Sequence, residues 1–366
     1  METTIRVDQG PLTFKHLILL VIALATGKPK DAPQGLPLRS NQPQRDHSPA
    51  SPDAAARGLH AATPTEIPAR GWKEVLLRTW KEAGDDNVGV VSAGVAFYAF
   101  LALVPLLGAV VLTYGLFASP AGVARSMARL TTLLPQEVAQ IIGQQLTQVV
   151  QTSGGKKGIG LLVALALAIF GARSAVGGII TSLNIAYEEQ EKRSFLRYNL
   201  QALLFTLGGV VGVTLALAII VGVPAVLNLT WLGTGEALAV RVISFLLLLG
   251  FVMLGLAVLY RFGPSREEPR WHWVTPGSVA AAIVWVVASL LFSFYVGTLG
   301  SYDATYGPLG AVVVMLMWFW ISAFVVLLGA ELNAELELQT KRDTTTGPDR
   351  PMGERGAFAA DHVAIG

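Results

Sequence analysis

Between about positions 90 and 340 the chain alternates long, nearly uncharged apolar runs with short charged clusters. Six runs stand out, at 90–117, 159–187, 199–223, 238–260, 273–297 and 309–331. A helix of about 20 residues, rising about 1.5 Å per residue, crosses a hydrocarbon core of about 30 Å. Every run meets that length. The pattern predicts an all-α polytopic membrane protein, a bundle of six transmembrane helices. Pro105 should kink the first span rather than end it, because neighbouring helices can satisfy the freed carbonyl. The fourth run is firm over VISFLLLLGFVMLGLAVLY and softer at its start near Arg241.

The segments outside the runs carry their own patterns. From Pro135, residues Val138, Ile141, Ile142, Leu146, Val149 and Val150 recur at helical spacing opposite Gln140, Gln144, Gln148 and Gln151. That predicts an outer amphipathic helix, closed by Gly154 and Gly155, lying on the membrane or acting as a lid. Residues 17–25 form an apolar stretch too short to span, similar to the core of a signal peptide. Residues 27–70, rich in Pro, Ala and polar residues, read as a disordered tail, and the chain after 342 reads the same way. The organisation expected is therefore a tail at 1–70, a membrane domain at 71–341 and a second tail at 342–366.

Composition agrees with the runs: 52% of residues are hydrophobic and 14% charged, against about 25% charged in soluble domains. The net charge of +2 is too small to suggest a nucleic-acid partner. Its distribution says more. Arg70, Lys73, Arg78, Lys81, Lys192, Arg193, Arg197, Arg261, Arg266, Arg270, Lys341 and Arg342 fall on one side of the spans. Arg125, Arg129, Lys156, Lys157 and Arg241 fall on the other. The bias predicts a multi-pass inner-membrane protein with both termini cytoplasmic. With no cysteine there is no disulfide or thiolate site.

Three segments resemble the YihY/virulence factor BrkB family: SAGVAFYAFLALVPLL from Ser92, SLNIAYEEQEKRSF from Ser182, and TYGPLGAVVVMLMWFWIS continuing to GAELNAELE, which ends at Glu337. The likeness runs from about Trp72 to Lys341, in segment order as well as spacing. It implies a six-span bacterial inner-membrane protein tied loosely to transport or envelope functions. An older ribonuclease BN label travels with that family. The residues argue against RNA hydrolysis: the five histidines are His16, His47, His60, His272 and His362, with no HxH, HxxxH or HxD spacing to hold a catalytic metal. No metal site, cofactor or ATP-binding loop is expected.

Arg173 is the first candidate for chemistry, a lone charge about 21 Å along the second span. A charge there costs about 2.5–3.5 kcal/mol on insertion scales, so it must face protein, water or a ligand. Its guanidinium fits a phosphate or carboxylate, or else ties helices through a carboxylate or carbonyls. Glu331 falls about 33 Å along the last span, at the inner interface, with Glu335 one turn on. It reads as a carboxylate reaching water, a gate residue or a partner of Arg173. Asn184 and Asn333 suit hydrogen bonding between helices, or ligand contact. Gly208, Gly209 and Gly212 predict a close helix contact, and Trp318 and Trp320 predict packing. Asp303 and Tyr306 could form an outer gate or a plain turn. The function expected is a transporter, or a protein handling an anionic small molecule or lipid of the envelope. The alternative is a non-transporting structural or assembly factor. Substrate and oligomeric state stay open.

Overall fold

The computed structural model describes residues 52–117, 154–229, 234–299 and 308–364. The chain divides into units Met1–Asp46 and His47–Gly366, and every described residue belongs to the second. The apolar stretch at 17–25, the amphipathic segment after Pro135, and Asp303 with Tyr306 lie outside the described residues.

The described chain is helical. Helix α1 (Pro52–Arg57) and a 3-10 turn (Pro64–Glu66) lead into α2 (Ala69–Asp85) and α3 (Val88–Phe117). Then come α4 (Gly154–Ala186), α5 (Phe195–Leu229), α6 (Thr234–Phe262), α7 (Trp271–Leu299), α8 (Pro308–Glu337) and the short α9 (Phe358–Asp361). Five helices are long and apolar enough to cross a bilayer, and a sixth candidate is the pair α2 and α3, bent by 63°. Helix α3 alone has 30 residues without a charge, and it continues through position 105.

The apolar surface is turned outward. Leu246, Leu290, Leu291 and Phe294 are all more than half exposed, as expected where lipid rather than protein is the solvent. What packs inside is small. Helix α3 buries Ser92, Val95, Ala96 and Ala102, a stripe at helical spacing, against α4. A Cβ placed on Gly171 would lie 2.7 Å from the Ala102 Cα. Helices α7 and α8 approach in the same way, since a Cβ on Gly277 would lie 2.1 Å from the Gly329 carbonyl oxygen. Without a hydrophobic drive between helices in lipid, such close approach and interhelical hydrogen bonds hold a bundle together. The Tyr260 hydroxyl supplies one, donating to the Val326 carbonyl at 2.7 Å.

The tails depart from expectation. Residues 52–70 are folded, with Ala61 and Ile67 buried beside Val75, Trp273 and Leu336. Residues 342–364 are folded too, and polar side chains order them where apolar ones are scarce. Arg355 is 6% exposed and donates to the carbonyls of Lys341, Arg342, Arg350 and Ala360. Asp361 accepts from the backbone N–H groups of Gly353, Arg355 and Gly356. Hydrogen bonds to charged groups contribute more than neutral ones, about 1.5–3 kcal/mol each. A composition argument counts apolar area and misses them.

Candidate functional site

All the described connections converge on one end of the bundle. Lys192 N–H donates to Ser265 Oγ at 2.9 Å, Lys341 N–H to the Leu59 carbonyl at 2.8 Å, and Arg270 N–H to the Thr344 carbonyl at 2.8 Å. The Phe358 N–H reaches Glu189 Oε1 at 2.6 Å. The twelve basic residues assigned to one side of the spans therefore share this end.

A groove of about 1900 Å³ opens here and runs up between α4, α5 and α6. Its floor is small: Gly208, Gly209, Gly212 and Ala216 from α5 and Gly255 from α6. A Cβ added to Gly208, Gly209 or Gly255 would meet nothing within 4 Å. Of the three glycines expected to bring helices together, only Gly212 has a near neighbour, the Phe251 ring at 3.4 Å. Gly208 and Gly209 leave open space beside them. The walls are apolar, from Ile179, Leu204, Phe205 and Leu259.

The mouth is cationic. Lys192, Arg193, Arg197, Arg261 and Arg266 line it and outnumber Glu267 and Glu268, with Thr346 and Gly356 of the folded C-terminal segment forming part of the rim. Several of these charges are engaged. Arg193 pairs with Glu191 at 2.6 Å and donates to Gln201, and Lys192 pairs with Glu189 at 3.0 Å. Arg266 and Glu337 form a fully buried pair at 2.6 Å, on which Thr344 also donates to Glu337. The Arg193 guanidinium and the Asn184 amide hold the Glu191 carboxyl below its usual range, against the effect of burial.

Arg261 differs. It is 9% exposed and clamped over the Trp271 ring at 4.5 Å and the Phe262 ring at 5.3 Å. Its Nη2 meets Glu268 at 3.1 Å, while Nε and Nη1 have no hydrogen-bond partner among the described residues. Nη1 of Arg266 is likewise unpartnered, and Arg197 is exposed with no ion pair among the described residues. Arg197, exposed at the groove mouth without an ion pair, is the guanidinium an anion there can reach, while the unmatched Arg261 and Arg266 nitrogens are covered by protein.

The residues singled out in the sequence are spread around this end. Arg173 does not meet Glu331. It donates to the Asn199 side-chain oxygen and lies 5.7 Å over the Tyr198 ring, joining α4 to α5 through neutral partners, one turn from the groove-lining Val176. Glu331 does not reach water. It is 2% exposed, inside a helix that runs on to Glu337, and it faces Asp86. Asn184 accepts from the Ser265 N–H at 2.7 Å and donates to Glu191 at 3.0 Å. Asn333 is fully buried beside Pro276 of α7. It accepts from the Gly277 N–H at 2.7 Å and donates to the Val274 carbonyl at 3.2 Å. Trp318 packs on Trp285 and Phe292, and Trp320 donates to the Gly89 carbonyl at 2.8 Å.

Sequence reasoning passed over Arg261 and Arg266. The two arginines entered only as charges beside a span. Nothing local distinguishes a topogenic arginine from one seated on an indole ring.

The helices, their outward apolar surface and the small-residue contacts define a polytopic helical membrane protein. Residues 79–353 match the family model "Virulence factor BrkB", and the chain belongs to that family. Among curated relatives, the ribonuclease-like protein YfkH of Bacillus subtilis is 32% identical over 52% of this chain and 70% of its own length. A UPF0761 membrane protein of Haemophilus influenzae is 24% identical over 72% of this chain and 96% of its own. Another from Aromatoleum aromaticum is 30% identical over 67% and 59% respectively. No solved structure matches the chain.

Proposed function

We propose that this protein binds and handles an anionic amphiphile, a membrane lipid with a negatively charged headgroup, at the inner membrane. The observation that carries this is the groove: apolar and glycine-floored between spans, with the exposed Arg197 beside the Arg261 guanidinium at its mouth. An acyl chain fits the first part and a phosphate the second. The cationic end faces the cytoplasm, where the basic bias would place it. His272 sits against Trp273 with ring centroids 5.9 Å apart, and no group of three metal-ligating side chains forms among the described residues.

The test compares ligands that share the phosphate. Purified protein in detergent is melted with phosphatidylglycerol, phosphatidylcholine or soluble glycerol phosphate. Phosphatidylglycerol should raise the melting temperature clearly more than the other two, and Arg261→Gln with Arg197→Gln should remove most of that difference. A shift with glycerol phosphate alone would mark a soluble-anion site. Equal shifts for both lipids, unchanged in the variant, would refute the reading. Reconstitution then separates handling from static binding: fluorescent phosphatidylglycerol should exchange between leaflets faster with protein than with the variant. Binding without exchange would point to a structural protein with a bound lipid.

A further inference from the structure

Two loops frame the groove mouth, residues 187–194 before α5 and 263–270 between α6 and α7. Each carries an acid whose side chain grips a cation of the mouth. In the first, Glu189 Oε2 meets the Lys192 ammonium at 3.0 Å. In the second, Glu268 Oε2 meets Arg261 Nη2 at 3.1 Å, while the other nitrogens of that guanidinium are covered by protein.

Both acids are held in turn by the folded segment that follows α8. The Phe358 N–H donates to the second oxygen of Glu189 at 2.6 Å. Thr346 donates twice to the Glu268 carbonyl, from its N–H at 2.9 Å and from its hydroxyl at 3.2 Å. The segment follows the second loop further: Thr345 bridges to Pro269, Asp349 meets Arg270 at 2.7 Å, and Gly356 accepts from the Glu267 N–H at 3.2 Å. Gly356 has left-handed backbone at φ +73°, and a Cβ there would lie 2.8 Å from Glu267 Cγ. Apolar packing is confined to a small cluster of Leu338, Ala359 and Ala364 with Phe358. Elements held mainly by polar contacts, with few buried apolar ones, open locally at the least cost.

We propose that residues 343–364 form an autoinhibitory strap, which competes with a lipid phosphate for Lys192 and Arg261 by holding Glu189 and Glu268 against them. This rests on the groove binding an anionic lipid and gives that groove a regulated entrance. An exposed Lys–Glu pair three residues apart contributes little by itself. The Phe358 N–H fixes the Glu189 carboxylate in place and so keeps Lys192 masked. Exposed Arg197 meets an anion first, and the two masked cations join it when the strap lets go. The coupling is reciprocal: strap release raises lipid affinity by the same factor by which bound lipid favours release.

Two variants loosen the strap without altering a mouth cation or either acid. Asp361→Ala removes the acceptor of the Gly353, Arg355 and Gly356 N–H groups, and Gly356→Ala strains the turn with no change of charge. Hydrogen exchange of the full chain in detergent, read on peptides covering 343–364, should be faster in both variants. In the wild type it should be faster with phosphatidylglycerol than with phosphatidylcholine. In melts titrated with phosphatidylglycerol, both variants should reach half of the maximal shift at a several-fold lower concentration than the wild type. Glu189→Gln should do the same with strap exchange unchanged, because its amide oxygen still accepts from Phe358 while Lys192 is uncovered. Loosened variants that keep the wild-type concentration, or wild-type exchange indifferent to phosphatidylglycerol, would overturn the strap. The groove reading would survive that result wherever phosphatidylglycerol still outperforms phosphatidylcholine. No preference for phosphatidylglycerol in any of these proteins would refute the groove reading and the strap with it. Should neither strap variant fold or loosen, Glu189→Gln and the wild-type exchange still decide.

Discussion

Asn333 and Arg173 are both polar groups inside a membrane bundle, yet their surroundings assign them very different weights. Asn333 is fully buried and matches both faces of its amide to the α7 backbone beside Pro276. Truncating it strands a backbone N–H and a carbonyl in a site without water, at about 1–3 kcal/mol per unsatisfied group. Arg173 is part-exposed, and its partner Asn199 also donates to the Phe195 carbonyl at 2.6 Å. Removing the arginine leaves an amide that nearby water or headgroups can satisfy. Asn333→Ala is therefore expected to lower the melting temperature more than Arg173→Ala, with Arg173→Lys close to wild type. Thermal melts of the three variants in one detergent check this, and an Arg173→Ala loss as large as that of Asn333→Ala would reverse the ranking. The sequence exposed Arg173 because isolation in an apolar run is a local signal. It could not expose Arg261, whose character depends on a ring ten residues away and on donors left unmatched.

At the scale of elements, charge-free runs located the spans and mis-set their ends. Helix α8 continues six residues past position 331, and α5 begins at Phe195 rather than 199. Polar residues continue a helix through the headgroup region once hydrocarbon no longer excludes them, so a search for uncharged residues stops short. Helix α2 is the clearest case. It buries Val75, Thr79 and Ala83 at intervals of four, while Leu76, Leu77 and Trp80 are exposed among Lys73 and Lys81. Exposed apolar residues framed by lysines suit a helix lying in the membrane interface. A nitroxide on Leu77→Cys should therefore be reached by oxygen from the bilayer more readily than one on Lys81→Cys, which a water-soluble nickel reagent should reach better. Equal accessibility at the two positions would place α2 wholly in water or wholly in lipid. The same exposure explains why the segment escaped notice: its apolar residues are too few for a span, and its basic residues look like loop.

For the whole molecule, the six runs and the basic bias are one observation seen twice. An even number of crossings returns the chain to the side from which it started. The hydrogen bonds joining residues 59, 192, 265, 270, 341, 344 and 358 show that the segments before α3, between α4 and α5, between α6 and α7, and after α8 do meet at one end. This end also holds the groove mouth, so its side of the membrane decides which leaflet the groove opens toward. The basic residues predict the cytoplasmic side. A reporter active only in the periplasm should be silent when fused after position 342 and active when inserted near position 156. The buried Arg355 makes 342 a poor place to truncate, since removing it would leave the carbonyls of Lys341 and Arg342 without their donor. The fusion is therefore best made to the complete chain, after position 366. Activity there, with silence at 156, would invert the molecule and move the groove mouth to the outer leaflet.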